Sequence, residues 1–178
     1  MPESGKKPKI LVIHGPNLNM LGRREPALYG NATLSEIDAE IKETAAKCGM
    51  VADTFQSNYE GALVEKIHEA IDGYDAVIIN PAAYTHTSIA IRDALLMLNV
   101  PIIEVHLSNI YRREPFRHKS MIADVATARV AGFGKQGYII AVEAVAKMIT
   151  GVRGQASEVT GVSNRRPVAQ TKIPLSGH

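Results

Sequence analysis

The chain has one cysteine, Cys48, no tryptophan, and three phenylalanines in 178 residues. A single thiol allows no internal disulfide and no multi-cysteine zinc site, so burial alone must hold the fold, and the expected compartment is the reducing cytoplasm. An excess of one charge is also missing: 20 Lys and Arg face 18 Asp and Glu, dispersed along the chain, for a net +2. That leaves no basic footprint, and no nucleic-acid partner is expected. Nor is there a long apolar run near the start. Met1 to Lys9 is polar, and Ile10–Ile13 after it is far shorter than a signal core or a bilayer span, so no membrane partner is expected either. What remains is a globular balance, 46% hydrophobic and 21% charged, which excludes a disordered or collagen-like chain and suits one core.

Short β-branched runs alternate with helical spacing. Ile10–Ile13 stops at Gly15-Pro16 and reads as a buried strand. Leu34, Ile37, Ile41, Ala45 and Cys48 form a helical stripe, with Thr33 or Ser35 as N-cap and Gly49 as stop. The pattern repeats as a strand over 51–57, a helix over 60–71, and a strand over 76–80 ending before Pro81. A helix over 89–98 capped by Thr87 or Ser88, a strand over 101–105, a loop over 109–120, a strand over 126–131 and a helix over 138–149 complete it. Five strands alternating with helices predict a doubly wound parallel sheet of order 2-1-3-4-5, with function in the loops after the strands. The polar segments 1–9 and 151–178 read as tails around a domain spanning 10–150.

Gly132-Phe-Gly-Lys-Gln-Gly137 matches the dinucleotide fingerprint G-x-G-x-x-G. The fingerprint also needs a following strand ending in an acidic residue, and here the chain runs into the polar tail. The glycines read better as packing the last helix onto the sheet, so no cofactor is expected. A nucleotide- or flavin-binding module that uses this segment is the rival reading, and an inert scaffold is a third.

The chemistry-bearing residues sit where strands end. In the long loop after the first strand, Arg23 and Arg24 precede Tyr29 by six and five positions. A nearby guanidinium favours the phenolate and makes a tyrosine a usable base. Alone, Tyr29 reads more readily as a packed aromatic, because phenols are rare among general bases. The third strand delivers Asn80 and His86. The fourth delivers Glu104 and His106, followed by Leu107 and Ser108, whose amides can seat a carboxylate. His14 reads as a packing or hydrogen-bonding residue, His68 and His118 as solvent-facing, and Cys48 as a small buried hydrophobe. Tyr, His, Arg, Asn and an anion seat, with no metal, suit proton abstraction beside a carbonyl and loss of an oxygen leaving group.

Gly15 to Gly30, Asn80 to Ser88, Glu104 to Ser108 and Phe133 to Tyr138 closely resemble the type II 3-dehydroquinate dehydratases. The likeness runs from Ile10 to about Thr150. It implies a flavodoxin-like fold and a cofactor-free lyase that converts 3-dehydroquinate to 3-dehydroshikimate by anti elimination of water through an enolate, in the shikimate pathway or in quinate breakdown. By the same resemblance Tyr29 is the base, Arg24 activates it, Asn17 helps hold the enolate, His106 is the acid and Glu104 orients it. Asn80, His86, Arg117, Leu107 and Ser108 then bind substrate, with Asp93 coming from a neighbouring subunit. Arg23 and Arg113 belong to the lid. The assembly implied is a dodecamer of four trimers.

Overall fold

The alternation of side chains in a strand decides which layer each residue joins, and here both faces are apolar. Ile10 and Val12 of β1 (Lys9–His14) pack on one side, Leu11 and Ile13 on the other. The computed structural model describes residues 6–23 and 31–158, with backbone alone for 151–158. Among them, β1, β2 (Val51–Gln56), β3 (Ala76–Asn80), β4 (Ile102–His106) and β5 (Ala128–Ala131) form one parallel sheet of order β2-β1-β3-β4-β5.

On one face lie α1 (Leu34–Lys47) and α5 (Gln136–Glu158), whose Ile37, Ile41, Tyr138 and Val142 meet Ile10, Ile78 and Ile103. On the other lie α2 (Glu60–His68), the short α3 (Ala70–Gly73) and α4 (Ile89–Leu96), which bury Leu63, Ile67, Ile91 and Leu95 against Leu11, Val77 and Ile79. Full burial of each such aliphatic side chain contributes about 1.5–3 kcal/mol.

Local signals fix the helix ends. Thr33 and not Ser35 caps α1: its Oγ1 accepts the Glu36 amide at 3.3 Å while the Glu36 carboxylate accepts the Thr33 amide at 2.7 Å, a capping box. Gly49, at φ +75°, takes the left-handed position past the helix end, as its place in the sequence predicts. Ser88 caps α4.

Most element ends fall within two residues of the sequence reading, and three segments differ by more than that. The helix predicted over 60–71 is two, α2 and α3, separated by Glu69, and it ends at Gly73 because Leu63, Ile67 and Ala70 are its buried stripe while Ile71 is exposed. The 109–120 segment holds two 3-10 turns, Ile110–Arg112 and Pro115–Arg117, each placed by local chemistry: the Asn109 side chain accepts the Tyr111 amide in the first, and proline opens the second. Finally, α5 begins two residues before Tyr138 and continues through Glu158, into the segment the sequence reading assigned to the tail. The last tail residues, 159–178, and residues 1–5 lie outside the described residues.

Candidate active site

The carboxyl ends of β1, β3 and β4 converge because their loops touch. Gly15 donates its amide to the Asn80 carbonyl at 2.8 Å, and a Cβ there would lie 2.4 Å from the Pro81 carbonyl oxygen, so only glycine fits. The chain then turns through Asn17 at φ +66° and Ala82 at φ +53°, the two non-glycine residues with positive φ among those described. Asparagine tolerates this region; alanine does not, and a strained residue of that kind costs about 1–3 kcal/mol, which a site can store. The Asn80 side chain offsets part of it by accepting the Ala82 amide at 3.1 Å.

Both strained residues line an open cavity of about 740 Å³ including its mouth, a volume suited to a small molecule. Asn17, Asn80, His86, His106, Leu107, Ser108, Arg113 and Arg117 also line it, so the structure gathers eight of the sequence-selected residues in one place. Glu104 stands directly behind His106. Arg23 is exposed and not on the cavity wall, and Asp93 is exposed on α4, also away from it. Arg24 and Tyr29 lie outside the described residues.

Glu104 and His106 are two apart on β4, so they share a face. The imidazole Nε2 sits 2.7 Å from Glu104 Oε1, and Nδ1 has no partner among the described residues. A carboxylate at Nε2 puts a proton on that nitrogen and turns Nδ1 to other work. Glu104 is fully buried. Burial alone would push its carboxyl up, but the His106 hydrogen bond and charge, with Ser120 and Arg129, outweigh it and hold the group below its ordinary 4.5. Ser120 Oγ donates to Oε1 at 2.8 Å and Arg129 Nε to Oε2 at 2.9 Å. Sequence reasoning missed both residues. The available signal was one arginine in the otherwise apolar β5, paired in register with Glu104.

His86 donates from Nδ1 to the Lys119 carbonyl at 2.7 Å. Burial, the largest cause, pushes its imidazole below the ordinary 6.5; the Lys119 bond opposes this and the charges of His106 and Arg117 add to it. His86 is therefore neutral at pH 7 and presents Nε2 as an acceptor. Arg117 and Arg113 lie on either side of Glu114, with Arg117 Nε 3.0 Å and Arg113 Nε 3.5 Å from its Oε2.

The amides of Leu107 and Ser108 donate to no group among the described residues, although Leu107 is buried. Unpaired amide donors at a cavity wall, one on a buried residue and one on a half-buried one, are an anion seat in waiting. The glycine motif props this seat from behind: the Gly132 amide donates to the His106 carbonyl at 3.2 Å and the Gly134 amide to the Leu107 carbonyl at 2.9 Å. Gly132 has φ +90° and packs on the Asn109 side chain, so this is where the motif needs glycine. Among the described residues, no group of three or more His, Cys, Asp or Glu side chains is placed to hold a metal ion, and no helix is long and apolar enough to cross a membrane.

His14, at the end of β1, points to the other face. Its Nδ1 lies 2.8 Å from the Tyr138 hydroxyl and its Nε2 2.9 Å from Asp38 Oδ1. Burial pushes the Tyr138 phenol far up, against a hydrogen bond from the Asn80 side chain.

A doubly wound sheet with a carboxylate-held histidine and an anion seat at its carboxyl ends defines a small-molecule enzyme of the acid–base kind. Comparison with known proteins gives the particular one. The family described as Dehydroquinase class II matches residues 8–146. The 3-dehydroquinate dehydratase of Roseiflexus castenholzii is 59% identical over 149 residues, 83% of this chain and 91% of that one. The catabolic 3-dehydroquinase of Emericella nidulans is 56% identical over 137 residues, 77% and 90% of the two chains. The crystal structure of type II dehydroquinase from Propionibacterium acnes superposes with a TM-score of 0.78 at 43% identity, over 81% of this chain and 99% of that one. The chain belongs to the class II dehydroquinase family, and its activity is the dehydration of 3-dehydroquinate, a hydro-lyase reaction.

Proposed function

We propose that the dehydration is a cofactor-free anti elimination through an enolate, with 3-dehydroshikimate as product. The observation that carries this reading is the Glu104–His106 pair at the cavity wall, its Nδ1 unspent beside two unpaired amides. Hydroxide is a poor leaving group, so loss of water needs a placed acid, and a proton beside a ketone needs a base and a home for the enolate charge. Tyr29 takes the C2 proton, with Arg24 favouring its phenolate, and Asn17 holds the enolate through water. The C1–O bond then breaks as His106, protonated on both nitrogens, gives its Nδ1 proton to the departing hydroxyl. Solvent returns the Tyr29 proton to His106.

The substrate carboxylate lies on the amides of Leu107 and Ser108, and its hydroxyls meet Asn80, His86 and Arg117. Arg23 and Arg113 close the site, which strengthens every charge inside by excluding water. The enzyme works in the cytoplasm as a dodecamer of four trimers, each trimer bringing Asp93 to a neighbour's site. Ile89, Asp93 and Leu96 on α4 and Met97 at its C-cap support this: they recur at helical spacing and are all exposed, an apolar stripe around one carboxylate.

Purified protein given 3-dehydroquinate with a chelator and no added cofactor should develop the ultraviolet absorbance of a conjugated enone. A flat trace overturns the reading. Tyr29→Phe and Arg24→Ala should each lower kcat by about 10²-fold or more, and together little further, because they serve one proton transfer. Sedimentation at a mass of one to three chains would remove the dodecamer.

A further inference from the structure

We propose that Arg129, on edge strand β5 and outside the cavity, is a positioning residue for the elimination: by binding Glu104 Oε2 it holds the carboxylate, and through it the His106 imidazole, in the acid's working geometry. The inference rests on His106 as the acid. Glu104 divides its two oxygens. Oε1 receives His106 Nε2 at 2.7 Å and Ser120 Oγ at 2.8 Å, and Oε2 receives Arg129 Nε at 2.9 Å.

The parallel register sets this pairing, since Glu104 and Arg129 are direct partners across β4 and β5. Arg129 is not among the cavity-lining residues, so it acts through Glu104. A fully buried carboxylate keeps its charge only if the charge is compensated. The groups facing it are His106 from β4, Arg129 from β5, Ser120 from the segment before β5 and, at longer range, His86 from the turn after β3.

Without Arg129, Oε2 loses its donor and the pair has one positive charge fewer beside it. Glu104 then takes up a proton sooner on acidification, and a neutral carboxyl no longer fixes the imidazole. Arg129 has a second attachment. Its Nη1 donates to the Tyr111 hydroxyl at 3.1 Å, which ties the acid pair to the segment carrying Arg113 and Arg117.

The test is kcat and KM for 3-dehydroquinate against pH in Arg129→Met, Arg129→Lys and His106→Asn of the full chain. Arg129→Met should lower kcat about tenfold at neutral pH with KM little changed, and displace the acid limb of the kcat profile upward by about one pH unit. Arg129→Lys, which keeps the charge, should leave the limb near its native position. In a Glu104→Gln background, Arg129→Met should cost little more, because its target is gone.

An unmoved limb with native kcat in Arg129→Met overturns the proposal, as does an additive loss in the double variant. If Arg129→Met does not fold, a limb displaced in Arg129→Lys overturns it alone. Native turnover by His106→Asn would instead remove the acid assignment beneath it.

Discussion

Two histidines end strands of this sheet on its carboxyl edge, both buried and both bonded to a carboxylate, yet only one is built for chemistry. His14 has spent both ring nitrogens, one on Tyr138 and one on Asp38, on the α1 and α5 side. His106 has spent one, on Glu104, and its other nitrogen meets the cavity. Burial and a carboxylate neighbour are thus common to a structural histidine and a catalytic one. What separates them is a nitrogen left without a protein partner, and a carboxylate clamped by further donors so that it cannot move to follow the proton.

The largest effect expected from this comparison is on turnover. His106→Asn should lower kcat by about 10²–10⁴-fold, the usual worth of a placed acid, with a folded protein by near-ultraviolet circular dichroism. His14→Asn should leave turnover per folded molecule within about threefold and lower stability instead, since it removes a hydrogen-bonding hub and no reacting group. A kcat collapse in His14→Asn comparable to that in His106→Asn would erase the distinction.

Acid sharpens the comparison from the side of Glu104. Its folded-state carboxyl is held below the ordinary 4.5, so the stability it contributes is whole above that value and is lost as pH falls through the folded value. Urea unfolding of Glu104→Gln against pH should show a shallower acid decline than the native chain. An unchanged decline would mean that other carboxylates carry it.

Tyr138→Phe tests the structural histidine without touching the catalytic one. It leaves His14 Nδ1 buried and unpartnered and should lower the unfolding free energy by about 1–3 kcal/mol in urea titrations. The kcat should hold within about threefold, because the Glu104–His106 pair lies across the sheet, while any effect passed through the contact of Tyr138 with Asn80 falls on KM.

Much of this was legible in the chain. Buried parallel strands are uninterrupted apolar runs, and that is why 76–80 could be delimited to the residue. The i, i+2 spacing of Glu104 and His106 puts them on one face by pleat alone. What stayed hidden depends on contacts far apart in sequence: the pairing of Arg129 with Glu104 is a matter of strand register, Gly15 is required by Pro81 across the sheet, and positive φ at Ala82 contradicts alanine's own preference. His14 could be read as non-catalytic, yet its partners on α1 and α5 could not be named. The continuation of α5 past Thr150 was missed because Gly151, Gly154 and Ser157 argue locally against a helix that the preceding apolar turns carry on.

The smallest effect probes how far the structural histidine depends on its own helix. Asp38 stands in the second turn of α1, and Thr33 caps that helix by accepting the Glu36 amide. Thr33→Ala removes the cap and should cost about 1 kcal/mol of stability, read as a lowered urea midpoint with unchanged slope. The loosened turn carries the carboxylate that holds His14 Nε2, so the loss should be smaller when measured in the His14→Asn background, where that contact no longer exists. The pH profile of kcat should not move, because α1 packs on the face of β4 that carries Ile103 and Val105, opposite to Glu104 and His106. A displaced profile in Thr33→Ala would show that the two faces of the sheet communicate, and the separation between the two histidines would then be one of degree.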